Sequence, residues 1–294
     1  MNAAMVHSQR MATNYFGEDS SWRLWPDPAP REDLVFEVPA PAHDAVVSDV
    51  FRPRMFLFRA EKPNGSAALV LAGGGYTKLV IGKEGVEVAR WLNALGIHAF
   101  VLAHRFPGRS GSQAPVDDAI EAMRQIRARA GEWGIDTDKV GACGLSSGGH
   151  LASCLVARYP DVWRATESPH AHLQARPDFL VVGYAPISTN ASGRTVVPDK
   201  KPLLPPEKQA LYEVMQPDLQ LVEQPPPAFI AYSATDEVVP MENAYRLHQA
   251  LIKKGGSAEL HVFADAPHGF ALREKKGPVA KWPELCAEWL RSMP

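Results

Sequence analysis

From about residue 54 onward the chain alternates between two hydrophobic rhythms. Short continuous apolar runs recur at "RMFLFRA" (54–60), "AALVLA" (67–72), "HAFVLA" (98–103), "KVGAC" (139–143), "PDFLVVGYA" (177–185), "PAFIAYS" (227–233) and "AELHVF" (258–263). Runs this short and mostly apolar predict strands. Between them lie segments with a period near 3.6. In "GKEGVEVARWLNALG" the side chains of Val88, Trp91, Leu92 and Leu95 share one helical face. Val116, Ile120, Met123 and Ile126 do the same in a helix predicted from Pro115 to Ala130, where the proline suits the first turn. Further helices are predicted through "HLASCLVARY", "MENAYRLHQALIKKG" and "WPELCAEWLRS". Strands alternating with helices predict an α/β fold with a mostly parallel sheet covered on both faces.

Two regions break the rhythm. Residues 1–45 are rich in Pro and acidic residues and are expected to form an arm packed on the surface of a single domain spanning 46–294. Many of the 26 prolines fall between 186 and 227, a stretch too long for a simple connection. It reads as a cap-like insertion beside the functional end of the sheet.

Composition narrows the classes. Lys plus Arg total 31 and Asp plus Glu total 33, a net charge of −2, which gives no electrostatic case for nucleic acid or an anionic membrane. No apolar stretch approaches a membrane span, and the N-terminus shows no signal-peptide core. A cytoplasmic location is therefore expected, with a secreted form whose leader is missing as the alternative. Cys143, Cys154 and Cys286 have no metal-ligand spacing and read as packed thiols. His170 and His172 lack further ligands nearby and read as loop histidines. "AGGGY" lacks the G-x-G-x-x-G fingerprint, so no dinucleotide and no other cofactor is expected.

The chemistry concentrates in "GLSSGG" (144–149), directly after a predicted strand and before a predicted helix. It satisfies G-x-S-x-G with Ser146 at the centre; Ser147 fails because Leu145 would take the first glycine's place. A serine on so tight a turn needs glycines on either side, and the turn lifts its hydroxyl above the sheet. A serine hydroxyl also needs a base, and the base an orienting carboxylate. His268 in "APHGF" follows the last predicted strand, where catalytic groups of open α/β sheets collect, whereas His248 and His261 lie inside a helix and a strand. Asp236 lies three residues past Ser233, the end of the preceding strand. The chain order Ser, Asp, His is the one this architecture uses. The glycines of "LAGGGY" place the amides of Gly74 and Gly75, with that of Ser147, as donors to an oxyanion. Tyr76 and Phe270 either line an acyl pocket or pack as wall.

Those motifs, with "WGIDTDKVGACGLSSGGHLAS", "PPPAFIAYSATDEVVPMENAYRLHQAL" and "AELHVFADAPHGFAL", resemble the α/β-hydrolase-fold serine esterases of the bacterial acetyl esterase and acetylxylan-esterase-like group over residues 46–293. The resemblance implies hydrolysis of short-chain esters, with acetylated sugars or xylo-oligosaccharides as the partners, Ser146 as nucleophile, His268 as base and Asp236 as its support. Enzymes of this fold often dimerise, so a homodimer is also an expectation. The chain departs from the pattern at Ala72 before the triple glycine, at His104-Arg105 and at Ser147. Two rival readings stay open: an amidase or peptidase on the same scaffold, and a binding protein that kept the fold without the chemistry.

Overall fold

Among the described residues eight strands form one sheet in the order β1-β4-β6-β5-β7-β8-β9-β10. In a computed structural model the described residues are 15, 21–26, 33–37, 44–197 and 199–293. The strands are β1 (Ser21–Arg23), β4 (Arg54–Phe58), β5 (Ala67–Leu71), β6 (His98–Ala103), β7 (Val140–Leu145), β8 (Leu180–Gly183), β9 (Ala228–Ser233) and β10 (Ala258–Phe263). β1 and β4 pair antiparallel, as do β4 and β6; from β6 to β10 every pairing is parallel. A separate antiparallel ribbon joins β2 (Leu34–Glu37) to β3 (Val46–Val50).

Every residue of β5, β6, β7, β8 and β9 is buried. That pattern follows from helices on both faces. The helices are α1 (Glu87–Ala94), α2 (Pro107–Ser110), α3 (Ala114–Ala128), α4 (Ala130–Trp133), α5 (Ser147–Cys154), α6 (Pro206–Val214), α7 (Pro217–Gln220), α8 (Glu242–Lys253) and α9 (Trp282–Ser292). A π-helical turn, Ile81–Val86, leads into α1. Helix α3 buries Val116, Met123 and Ile126, three of the four positions its period picks out. Among the described residues no helix is long and apolar enough to cross a membrane.

Most of the 1–45 arm lies outside the described residues. Two of its described stretches are built into sheets: Trp22 of β1 pairs with Met55, and Phe36 of β2 with Val47. The 186–227 insertion carries α6 and α7, and α6 packs against α2. Gly108 makes room for that docking, since a Cβ there would stand 2.6 Å from Cγ of Pro205. The insertion is thereby held against the loop that follows β6.

Candidate active site

Strand β7 ends at Leu145 and α5 begins at Ser147, so Ser146 alone makes the turn. Its backbone sits at φ 52°, ψ −127°, a region that L-residues avoid. A Cβ on Gly148 would stand 1.9 Å from the Leu71 carbonyl oxygen, and one on Gly144 would stand 2.2 Å from that of Gly148. Only glycine fits at either place, which is the physical content of the motif. The strained residue is pinned from both sides. Its N–H donates to the Gly183 carbonyl at 2.9 Å, and its own carbonyl accepts from Gly149 at 2.9 Å.

The loop after β10 brings His268 to this turn. Its Nε2 lies 3.0 Å from Ser146 Oγ, and its Nδ1 lies 2.8 Å from Oδ2 of Asp236. The Asp236 side chain is fully buried. Its other oxygen, Oδ1, accepts the N–H groups of Val238 and Val239 at 2.9 and 2.8 Å. With both oxygens committed, the carboxylate can only receive a proton donor from the ring, so Nδ1 carries the hydrogen and Nε2 faces the serine as an acceptor. The Tyr184 ring packs T-shaped against the imidazole, with ring centres 5.2 Å apart, and limits its swing. Three residues far apart in sequence thus form one continuous hydrogen-bonded line.

The triple-glycine loop lies beside α5. Neither the Gly74 nor the Ser147 amide has a hydrogen-bond acceptor among the described residues. Gly74 must be glycine, because a Cβ would stand 2.2 Å from the Lys78 carbonyl oxygen. Gly75 departs from expectation: its N–H donates to Ser147 Oγ at 2.9 Å. That amide joins an oxyanion site only after the Ser147 hydroxyl releases it. The Ser147 side chain, one of the chain's departures from its relatives' pattern, is thus the reason.

Glu84 is the residue that sequence reading missed. It lies in the turn before α1, where an acid reads as a solvated first-turn charge. In the fold it is 4% exposed. Oε2 accepts the Gly73 N–H at 2.8 Å and Oε1 accepts the Tyr184 hydroxyl at 3.1 Å. Burial raises its pKa, and the Gly73 amide, the Tyr184 hydroxyl, Lys83 and His268 pull it back in turn. Glu84 therefore ties the glycine loop to the tyrosine that braces His268. Glu84→Ala leaves a buried amide without an acceptor and is expected to cost about 2–4 kcal/mol in urea unfolding. Glu84→Gln still offers Gly73 an oxygen and is expected to cost about 1 kcal/mol.

Tyr76 and Phe270 do not line an open pocket; each is 1% exposed. Phe270 packs against Tyr184 and Trp282. The Tyr76 hydroxyl bonds His150 Nδ1 at 2.8 Å, and His150 Nε2 bonds the Met215 carbonyl at 3.0 Å. The carbonyl can only accept, so Nε2 carries the hydrogen and Nδ1 accepts from the tyrosine. Both aromatic rings are wall behind the site, held there by polar or aromatic neighbours. His170 is likewise engaged, its Nδ1 lying 2.9 Å from Glu121. Among the described residues no three His, Cys, Asp or Glu side chains cluster as metal ligands would.

Burial pushes the His150 pKa down from 6.5 to about 4. Below pH 6.5 the unfolded chain therefore binds a proton that the folded chain refuses, and stability falls as pH drops toward about 4. Buried His104 is shifted the same way. The loss is expected to reach about 3 kcal/mol for His150. Urea midpoints taken across this window check it, and in His150→Gln the decline should be shallower.

Comparison with known proteins agrees with this architecture. The chain is 28% identical over 264 residues to an acetylxylan esterase of Xylanibacter ruminicola, covering 84% of this chain and 50% of that one. It is 29% identical to endo-1,4-beta-xylanase B of Butyrivibrio fibrisolvens, covering 76% of this chain and 35% of the relative. The chain thus spans half or less of these curated relatives. Among solved structures, the acetyl ester-xyloside bifunctional hydrolase of Caldicellulosiruptor lactoaceticus superposes with a TM-score of 0.72 at 28% identity, over 93% of this chain and 96% of that one. An esterase of Thermogutta terrifontis, at 24% identity, shares the fold with a TM-score of 0.65, over 81% of this chain and 87% of the other. The sheet order, the strained serine turn and these likenesses make the fold that of an α/β hydrolase. The profile of the prolyl oligopeptidase family matches residues 108–292, a span that includes Ser146, Asp236 and His268, and the chain belongs to that family.

Proposed function

We propose that the protein is a serine carboxylesterase that hydrolyses short-chain esters, acetyl esters first among them, through an acyl-enzyme. The observation that carries this reading is the line Ser146–His268–Asp236, with contacts of 3.0 and 2.8 Å. Ser146 Oγ attacks the ester carbonyl carbon while its proton passes to His268 Nε2. Asp236 stabilises the imidazolium that results. The Gly74 and Ser147 amides, which have no acceptor among the described residues, donate to the oxygen as it gains charge. His268 then gives its proton to the departing alcohol, and the acetyl group stays on Ser146. A water molecule, deprotonated by His268, attacks the acyl carbon; collapse frees acetate and returns the proton to Ser146.

Acetylated xylo-oligosaccharides are the substrates this reading favours, because the acetylxylan esterase and the acetyl ester-xyloside hydrolase are the relatives of highest coverage named above. The amidase reading has its own support in the family's name and in a 25% identical acylamino-acid-releasing enzyme of rice. The test is hydrolysis of p-nitrophenyl acetate, butyrate and octanoate beside acetylated xylo-oligosaccharides and an N-acetyl-aminoacyl anilide. The expected result is highest kcat/KM on acetate and acetate release from the oligosaccharides. Faster cleavage of the anilide would overturn the ester reading in favour of an amidase. No turnover of any of them by folded protein would leave the fold as a binding scaffold.

A further inference from the structure

One lysine of residues 186–227 stands over the glycine loop, and a second lies near it. Lys208, on α6, has its Nζ 3.4 Å from the point a Cβ would occupy on Gly75. Gly75 is the residue whose amide touches Ser147, next to the nucleophile. Lys208 is half-buried, yet its ammonium group donates no hydrogen bond and makes no ion pair among the described residues. Behind it Lys200 is held by Asn190 Oδ1 and the Thr189 carbonyl, which are neutral groups. Burial lowers the Lys208 pKa, and repulsion from the Lys200 ammonium lowers it further.

Several half-buried cations elsewhere meet a carboxylate: Arg105 with Asp118 at 2.7 Å, Arg194 with Asp218 at 2.6 Å, Arg273 with Glu87 at 2.8 Å. Lys208 has no such partner and has a second lysine near it instead. Partly desolvating a cation without an anion is unfavourable, and here two are brought together in a chain whose net charge is −2. Beside Gly269, Lys83 Nζ lies 3.5 Å from that residue's Cβ point, but Glu84 lies 3.7 Å from the same point and offsets it. Among the described residues, Lys208 and Lys200 therefore bring positive charge to this side of the site without a carboxylate partner.

We propose that Lys208, backed by Lys200, is an anion subsite at the mouth of the active site, and that the preferred esters carry a carboxylate. This rests on the esterase reading and names the substrate class within it. Glycine at position 75 leaves the space that the carboxylate would occupy under the ammonium group. The carboxylate belongs either to the alcohol, as in an O-acetylated uronic acid, or to the acyl group, as in the half-ester of a dicarboxylic acid.

Isosteric pairs separate these sources. On the alcohol side, 3-acetoxybenzoate is compared with 3-acetoxybenzamide; on the acyl side, monophenyl adipate with its primary amide. The wild type is expected to favour the acid of one pair by about tenfold in kcat/KM, mostly through KM, and to lose the preference as salt screens it. Lys208→Met is expected to bring the acid-to-amide ratio to about one, and Lys208→Arg to retain it. A wild-type ratio near one in both pairs, or a preference unchanged in Lys208→Met, overturns the inference while leaving the esterase reading intact. Failure to cleave phenyl acetate as well as all four probes overturns both.

Discussion

Ser146→Ala is expected to lower kcat/KM on p-nitrophenyl acetate by about 10⁴- to 10⁶-fold without unfolding the protein. The size follows from what the residue does in the proposed reaction. It forms the covalent bond, so its loss removes the acyl-enzyme route and leaves only the oxyanion donors and binding to act on water. The turn itself should survive, since alanine keeps the Cβ and the Ser146 N–H still reaches Gly183 at 2.9 Å. Stability offers an independent check. At φ 52°, ψ −127° any Cβ is strained, so Ser146→Gly should be about 1 kcal/mol more stable than Ser146→Ala, although both are inactive. Esterase activity within about tenfold of wild type in Ser146→Ala would assign the chemistry to another nucleophile.

Asp236→Asn should cost about 10⁴-fold in kcat with little change in fold, by a mechanism that the hydrogen bonds dictate. Oδ1 accepts two amides, from Val238 and Val239, and only an oxygen can do so. The asparagine amide oxygen must therefore take that position, and its NH₂ turns to His268 Nδ1, where Oδ2 lies at 2.8 Å in the native protein. Nδ1 then becomes the acceptor, the hydrogen moves to Nε2, and His268 can no longer take the proton of Ser146. The loss should fall on kcat more than on KM, and raising the pH should restore little. A drop of less than about tenfold would mean that the carboxylate serves only to anchor the loop.

How much of this was legible from residues alone varies by element. The strands at 67–71 and 98–103 lie where their apolar runs put them, because a run buried on both faces is a local signal. The strand at 258–263 is also in its expected place, but as an edge strand it has no buried residue, so its run is not that of a strand covered on both faces. β7 runs two residues past the predicted "KVGAC", to Leu145, because the sheet pairs Leu145 with Gly183. The helix read as "HLASCLVARY" starts earlier, at Ser147, since the turn at Ser146 forces the chain directly into it. β1, β2 and β3 had no legible pattern. Each has five residues or fewer, and each is defined by its partner across the sheet rather than by its own rhythm.

The same division holds at the site. Sequence by itself determined the candidates Ser146, Asp236 and His268, because a tight turn demands glycines at fixed offsets and a parallel sheet delivers its loops to one edge in chain order. Only the tertiary structure decided that Gly75 is engaged by Ser147, that Tyr76 and Phe270 face inward, that Glu84 is buried behind the serine, and that Lys208 stands without a partner over the loop. The physical reason is common to all four. Spacing rules report on backbone geometry, which is local. The charge state, accessibility and partners of a side chain are set by groups distant in sequence, and those meet only when the sheet is assembled.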